Sequence, residues 1–257
     1  MATACDCPVT GIVWAMSDAL SNLLTHIKRS INLSAIQLGS EHDYSSLPLC
    51  VIDAVYSIGV NYTGTRNTVR KWCDFAGWPM LLSDGGPEHS VSEFLEMIGN
   101  FTDRQLAEKV FRNLQRTSSR SGELKSWAVR KFAEVLQSEK VEIFSDIRSD
   151  EVVERVEPRI KKIKGQSSGI SFDYFMILCG SDDYIKADRM VCGFVANALD
   201  RTSVSPAEAK RLLTDAASEL SREHPNVTPR SLDHAVWNFQ RAENQTKRTT
   251  SNCREQS

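Results

Sequence analysis

The stretch KGQSSGISFDYFMILCGSDDYIKADRMVCGFV, residues 164–195, contains the features that decide the predicted fold. It joins a turn rich in glycine and serine to an apolar segment, which is followed by an acidic loop and by Asp188 at the start of a second apolar segment. Apolar residues recur at helical spacing in 151–163, before the turn, and in 170–179, after it. The stretch therefore predicts two helices joined by a tight turn, and a third helix that begins at Asp188.

The helical period extends over most of the chain. In ALSNLLTHIKRSI (19–31), leucine and isoleucine recur at spacings of three and four residues. Similar patterns lie in VSEFLEMIGN, ELKSWAVRKFAEVLQ and PAEAKRLLTDAASEL, whereas VEIFSDI (141–147) is the one candidate for a short strand. We therefore predict an all-α fold.

The composition allows a large hydrophobic core, but the positive and negative charges of the chain nearly cancel. The chain has 257 residues, of which 41% are hydrophobic, enough for one large domain or two small lobes. Its 31 basic and 33 acidic residues give a formal net charge of −2. Without a basic field over the whole molecule, any binding of nucleic acid must depend on a local patch.

The seven cysteines indicate neither a disulfide framework nor a metal site. Cys50, Cys179 and Cys192 lie inside apolar runs, where cysteine usually acts as a small hydrophobic residue. Cys5 and Cys7 lack the two-residue spacer of a zinc knuckle, so we expect no bound metal. We find no positively charged leader and no apolar run near the ~20 residues of a membrane span, which predicts a soluble, cytoplasmic protein with reduced thiols.

The turn between the first two helices has the composition of an anion-binding loop. Gly165 and Gly169 flank Ser167 and Ser168, and such a turn can point backbone N–H groups outward where the next helix begins. Three lysines would add positive charge at the same place: Lys161, Lys162 and Lys164. A phosphate would fit there. The alternative is an ordinary connector between helices with solvated lysines.

Asp188 precedes RMVCGFVANAL and occupies the position of a helix N-cap. A carboxylate at this position would accept a backbone N–H and stay ionised. Caps of this kind are usually structural, so Asp188 gains a functional interpretation only in combination with the hairpin before it.

A hairpin, a buried helix, a loop and an aspartate that opens the next helix together resemble the helix-hairpin-helix DNA glycosylase superfamily, which includes endonuclease III and the adenine and 8-oxoguanine glycosylases. The resemblance extends upstream to LPLCVIDAVYSIGVNYTGTRNTVRKW (47–72), which is similar to the family's early helix and to the loop that feeds residues into the lesion pocket. It also covers SGELKSWAVRKFAEVLQ (121–137), before the hairpin helices, and SLDHAVWNFQR (231–241), a late helix.

The resemblance implies that the hairpin grips the phosphates of double-stranded DNA through its backbone amides, and that Asp188 drives cleavage of the bond between base and sugar. The implied DNA contacts are Lys164, Gly165, Gln166, Ser167, Ser168, Gly169 and Arg66. Asn61 and Tyr62 offer an amide and an aromatic face suited to the pocket of a flipped base. Core packing is expected instead for Phe172, Tyr174 and Phe175.

The chain departs from the family at positions that matter for the chemistry. Ser167 stands where the family hairpin has its second glycine, and Gly59 where relatives often place a wedge glutamine. Gly169 occupies the position of the nucleophilic lysine of lyase-competent members, so the resemblance implies no Schiff base. Only Cys253 follows Trp237, so the cysteines of an iron–sulfur loop are missing and we expect no cofactor.

The predicted organisation is two helical lobes that flank a DNA-binding cleft. Residues 1–46 would pack on the second lobe, 47–200 would form the hairpin lobe with the catalytic aspartate, 201–241 would complete the second lobe, and 242–257 would be a flexible tail. The predicted activity is that of a monomeric, monofunctional DNA glycosylase, which excises a damaged or modified base and leaves an abasic site.

Two alternatives to this function stay open. A catalytically silent helix-hairpin-helix protein would bind DNA structure without chemistry, and an unrelated all-helical interaction module would contain the hairpin by coincidence. The unusual hairpin and wedge favour an uncommon substrate, such as a hypermodified cytosine of phage DNA. An enzyme with that substrate would be an antiviral defence protein, whereas excision of a damaged base would be DNA repair.

Overall fold

The computed structural model describes residues 9–40, 43–59 and 62–254 of the chain. Within these ranges the regular structure is helical, with no strand and only two isolated antiparallel bridges, which confirms the predicted all-α fold. The helices, in chain order, are α1 (Val9–Ser30), α2 (Leu47–Tyr56), α3 (Tyr62–Ala76), α4 (Val91–Ile98), α5 (Asp103–Gln105), α6 (Lys125–Ser138), α7 (Asp150–Lys161), α8 (Ile170–Leu178), α9 (Arg189–Ala198), α10 (Pro206–Leu220) and α11 (Pro229–Arg254).

The one candidate for a short strand, at 141–147, does not form a strand, because Phe144–Ile147 is one turn of 3₁₀ helix. The Asp146 carboxylate accepts the N–H groups of Glu142, at 2.9 Å, and Ile143, at 3.0 Å. These local bonds turn the backbone and compete with an extended conformation. Alternation of apolar and polar residues over so short a run does not distinguish a strand from such a turn.

The chain divides into two compact units. One is continuous and runs from Gly39 to Ser181, and the other combines the residues up to Leu38 with those from Asp182 onward. The sequence placed this division near residue 200. The earlier division has a physical reason, because Ile185 belongs to the buried core formed by the two ends of the chain. Asp188 therefore lies in the discontinuous unit and the glycine-rich hairpin in the continuous one.

The centre of the continuous unit is the packing of α2 against α8. Every residue of α2 is buried, and α8 is buried over most of its length. Helices that are apolar on all sides are buried on all sides, and both sequences have that character. The three aromatic residues predicted for the core of α8 are buried there: Phe172, Tyr174 and Phe175. That prediction is confirmed.

The discontinuous unit has its own core, in which α1, α9, α10 and α11 each bury one face. Leu23 and Ile27 on α1 belong to the same buried cluster as Phe194, Leu212 and Val236 on the other three helices. The spacing of three and four residues in 19–31 predicted this face of α1. The periodic pattern thus identified which side of the helix is buried.

The last helix is longer than the sequence indicated. α11 continues to Arg254, whereas a flexible tail was predicted from Ala242. Polar residues such as glutamate, glutamine, lysine and arginine are good helix formers, and extending an existing helix costs little compared with starting one. In the part of the chain that the structure describes, no helix is both long and apolar enough to cross a bilayer.

Candidate functional site

The hairpin between α7 and α8 consists of two successive tight turns. Ile163 accepts the N–H of Gln166, at 2.9 Å, and the carbonyl of Gln166 accepts the N–H of Gly169, at 3.1 Å. Gly165 and Gly169 have φ values of 86° and 77°, in the left-handed region that residues with a Cβ rarely adopt. The two glycines are therefore required by the backbone itself, as the sequence predicted.

Close packing is a second reason for glycine at position 165, whereas at position 169 the nearest atoms belong to the flexible end of a lysine side chain. A Cβ on Gly165 would lie 2.4 Å from the Cβ of Thr117, which belongs to the loop before α6. A Cβ on Gly169 would lie 2.7 Å from Cε of Lys161, whose side chain crosses the hairpin. Thr117 and Lys161 therefore cover the two ends of the turn.

The first turn of α8 emerges directly from this hairpin. Gly169 is the N-cap residue and has no side chain with which to cap the helix. The hydroxyl of Ser168 accepts the N–H of Ile170, at a distance of 3.4 Å. The N–H groups of a first helical turn have no partner within the helix, and the macrodipole is positive there. The helix dipole favours an anion at this end of α8. Asp173 already places an acidic side chain in the same turn, and Gly169 and Ser171 are buried.

The lysines around the hairpin carry less net charge than the sequence predicted. The ammonium of Lys161 lies 2.5 Å from the carboxylate of Glu157, and that of Lys164 lies 2.9 Å from Glu123. Lys162 is exposed. Exposed ion pairs of this kind open readily because they are weak in water. Attraction of a phosphate would depend mainly on the backbone N–H groups and secondarily on the lysines.

The residues predicted to contact DNA do not all face the solvent. Lys164, Ser167 and Ser168 are exposed on the hairpin. Gln166 is only 2% exposed, and its Oε1 atom has no hydrogen-bond partner among the described residues. Its side chain therefore packs beneath the hairpin instead of lying on its surface. The sequence of a turn has no periodic pattern that could predict the burial of Gln166, since this burial depends on which loop packs against the turn.

Asp188 caps α9 as the sequence predicted. Its Oδ1 atom accepts the N–H groups of Met190, at 2.7 Å, and of Val191, at 3.2 Å. Both bonds use the same oxygen, and Oδ2 accepts no hydrogen bond from the described residues. The side chain is partly exposed. The cap thus fixes the carboxylate by one oxygen and leaves the other outside the hydrogen bonds of the helix.

The loop before Asp188 is held by the start of α11. The N–H of Lys186 donates to Oδ1 of Asp233, at 2.9 Å, and the N–H of Arg230 donates to the carbonyl of Asp182, at 3.1 Å. Lys186 and Asp233 are both buried. These bonds fix the backbone on the N-terminal side of the cap.

The predicted pocket segment follows α2, and a buried lysine holds its beginning. Nζ of Lys125 donates to the carbonyls of Tyr56, at 3.0 Å, and Ile58, at 2.8 Å, and also to Oε1 of Gln115, at 3.2 Å. Lys125 is only 3% exposed. The ammonium therefore caps the carbonyls at the C-terminal end of α2, where positive charge is favourable.

The two predicted pocket residues, Asn61 and Tyr62, follow this segment in the chain. Asn61 lies outside the described residues. Tyr62 begins α3, and its side chain lies outside the described part of the chain. Gly59, which precedes them, has a φ of 71°, so a glutamine there would be strained. The backbone conformation at this position therefore favours glycine.

Arg66 lies on α3, downstream of the pocket segment, and is partly buried. Its Nε atom is enclosed and has no hydrogen-bond partner among the described residues. Burial raises the pKa of the Cys50 thiol well above its usual range, that of Cys73 to about 12, and it also raises the pKa of Cys192. In the described chain, no three histidine, cysteine or acidic side chains come together as metal ligands.

The comparisons with known proteins show a family but no function. A family described as a domain of unknown function, DUF8548, matches residues 21–241. This match spans most of the chain, which therefore belongs to the DUF8548 family. Neither the curated proteins nor the solved structures contain a significant match to the chain.

Sequence reasoning missed three residues that shape the candidate site: Thr117, Lys125 and Asp233. For Lys125 a signal was present, because it shares one helical face with Ala128, Val129 and Phe132, which are all buried. A charged residue on such a face requires partners in the interior. Thr117 lies in a loop rich in serine and arginine, and nothing in that composition indicates contact with Gly165.

Proposed function

We propose that this protein is a monofunctional DNA glycosylase that acts on double-stranded DNA as a cytoplasmic monomer. The observation that carries the proposal is the state of Asp188, whose Oδ1 accepts both cap hydrogen bonds while Oδ2 accepts none from the described residues. A carboxylate held in this way keeps one oxygen for a developing positive charge. The hairpin that precedes it, with two left-handed glycines at the start of α8, supports the same proposal.

In the proposed reaction the enzyme flips one nucleotide out of the duplex, because a stacked base is unreachable. Cleavage of the bond between base and sugar builds positive charge on the sugar. The ionised Asp188 carboxylate stabilises that charge and helps a water molecule to attack the anomeric carbon. Gly169 has no amine to form a Schiff base. The product is therefore an abasic site in an intact strand.

The proposed role of the hairpin is to hold the DNA backbone. Backbone N–H groups at the start of α8 would donate to phosphate oxygens, which positions the duplex without reading its sequence. The formal net charge of −2 means that this attraction is local. Binding should accordingly be weakened by salt in proportion to the few phosphates contacted.

We propose a bulky modified base as the substrate, such as a hypermodified cytosine of phage DNA, with defence against phage as the biological role. Support comes from Gly59, which is exposed. A Cβ added to this residue would lie within 4 Å of no described atom. Glycine at this position adds no side chain next to the predicted pocket residues, where an enlarged base would need space. Excision of a damaged base is the alternative use of the same site.

A second candidate is a helix-hairpin-helix protein that binds DNA without chemistry. The favouring observation is that the two cap bonds of Asp188 explain its presence without reference to a substrate. This candidate shares the hairpin with the first, but it assigns no function to Oδ2.

Incubation with genomic DNA tests both candidates. The purified protein is added to unmodified bacterial DNA and to phage DNA rich in modified cytosine, and released bases are measured by mass spectrometry. We expect release of a modified base together with abasic sites that break in hot alkali. DNA binding without base release from any source would favour the second candidate, and borohydride trapping of a covalent adduct would contradict monofunctional chemistry.

A further inference from the structure

We propose that Asp233 is a positioning residue, which holds the loop before Asp188 so that Oδ2 of Asp188 faces the sugar cation. This inference rests on the proposed function. Asp233 lies in the second turn of α11, 45 positions after Asp188 in the chain (233 − 188 = 45). Its effect on Asp188 passes through the backbone of Lys186.

The first contact fixes the residue two positions before the cap. Oδ1 of Asp233 accepts the N–H of Lys186 at 2.9 Å, and the carbonyl of Lys186 accepts the N–H of Asp188 at 2.6 Å. Both main-chain groups of Lys186 are therefore engaged. Lys186 is 8% exposed and Asp233 is 7% exposed, so water cannot replace the carboxylate easily.

The second contact fixes the start of the same loop. The N–H of Arg230 donates to the carbonyl of Asp182 at 3.1 Å, and Nη1 of Arg230 lies 3.9 Å from the Asp182 carboxylate. The beginning of α11 thus holds the loop at Asp182 and at Lys186. Ile185, between these two points, and Ala187, directly after Lys186, are both buried.

The cap alone does not determine where Asp188 lies. The N–H groups of Met190 and Val191 orient its carboxylate relative to α9, but they place no restraint on the backbone that enters the helix. That backbone is restrained by the bond from Lys186 to Asp233. Transition-state stabilisation is sensitive to such placement, since a shift of about 1 Å in a catalytic group can reduce a rate by about 10².

A chemical probe can test this without knowledge of the base. One duplex oligonucleotide carries a pyrrolidine ring at an abasic position, whose protonated nitrogen imitates the sugar cation, and a second carries a neutral tetrahydrofuran ring. The ratio of their dissociation constants reports on the carboxylate at the sugar. A cation beside an ionised carboxylate should give the native protein a preference of at least about tenfold for the pyrrolidine duplex.

Three variants are compared with the native protein. Asp188→Asn should abolish the preference. Asp233→Ala should lower it to within about twofold of unity while the affinity for the tetrahydrofuran duplex stays unchanged, because a displaced carboxylate no longer faces the cation. Asp233→Asn should retain most of the preference, since its amide oxygen can still accept the N–H of Lys186. A merely structural role would change both affinities together and leave their ratio unaltered.

The outcomes separate the inference from the proposed function. An unchanged ratio in folded Asp233→Ala, with loss of preference in Asp188→Asn, would overturn the role of Asp233 alone. Native protein without any preference would overturn the glycosylase proposal and this inference with it. If Asp233→Ala does not fold, Asp233→Glu replaces it, because one added methylene displaces the acceptor while keeping the charge. An undiminished ratio in folded Asp233→Glu contradicts the inference.

Discussion

At the scale of single residues, Asp188 combines a structural and a proposed catalytic task on two different oxygens. Oδ1 satisfies two backbone N–H groups of α9, which any good N-cap side chain can do. Only an ionised carboxylate places negative charge on the second oxygen. The two tasks can therefore be separated by a substitution that keeps the acceptor and removes the charge.

Asp188→Asn should strongly slow base release while folding and DNA binding persist. Asparagine is as good a cap as aspartate, so the free energy of unfolding should change by well under the ~1 kcal/mol lost when a cap is removed. Loss of the charge should reduce the single-turnover rate by a factor on the order of 10² to 10³. Asp183→Asn, in the exposed loop before the cap, is the matched control. A fully active Asp188→Asn protein would contradict the assignment.

Ser168→Asp should weaken DNA binding without destabilising the protein. Ser168 is exposed beside the first turn of α8, where a carboxylate interacts favourably with the macrodipole by ~0.3 to 1 kcal/mol. The same charge would repel a phosphate at that position. Binding to duplex DNA is measured against salt, and thermal unfolding is measured in parallel.

Ser168→Asn is the control for this prediction, because asparagine has the same shape as aspartate and no charge. It should bind DNA nearly as the native protein does. Equal affinities for the aspartate and asparagine variants would show that the hairpin is not the phosphate contact.

At the scale of elements, the end of α2 depends on a residue from another helix. Lys125, at the start of α6, supplies an ammonium to two carbonyls and to Gln115. Its Nζ also lies 5.8 Å from the centre of the Tyr56 ring. The α2 end and the start of the predicted pocket segment are thereby fixed to α6. The resulting geometry is a property of the packing between two helices.

Lys125→Met should destabilise the protein by ~3 kcal/mol or more, because it leaves carbonyls in the interior without their donor. Unfolding in urea, followed by circular dichroism, gives the change in free energy. Lys131→Met on the same helix is the control, since Lys131 is half exposed and pairs with Glu134 at 2.6 Å. An exposed pair of this kind should contribute less than ~1 kcal/mol. Similar values for the two variants would contradict the capping role.

At the scale of the whole molecule, the two units differ in how the chain builds them. The unit from Gly39 to Ser181 is continuous and contains the buried pair α2 and α8. The other unit needs both ends of the chain, because α1 shares its core with α9, α10 and α11. A continuous unit with its own core meets the usual conditions for independent folding.

Residues 39–181 expressed alone should therefore fold cooperatively, with helical circular dichroism and a single unfolding transition. This fragment contains the hairpin and lacks Asp188. It should bind duplex DNA weakly and release no base from any substrate of the native protein. A fragment without cooperative unfolding would show that the second unit is required for the fold of the first.

The sequence by itself determined the helical fold, the left-handed backbone at the two glycines of the hairpin and the cap at Asp188. Each of these depends on local physics: the spacing of apolar residues around a helix, the φ values open to glycine, and the hydrogen bond between a side chain and the next turn. The same local signals left 141–147 as a candidate strand, and there the Asp146 side chain binds the backbone and turns it instead.

Only the tertiary structure decided the division after Ser181, the burial of Gln166 and the roles of Lys125 and Asp233. The bond from Lys125 to Tyr56 joins residues 69 positions apart, and that from Lys186 to Asp233 joins residues 47 apart. Partners at such separation leave no periodic trace in one sequence, because their contact depends on how whole helices pack. The local pattern therefore predicted the cap at Asp188, and only the packing of the helices placed Asp233 against the loop before it.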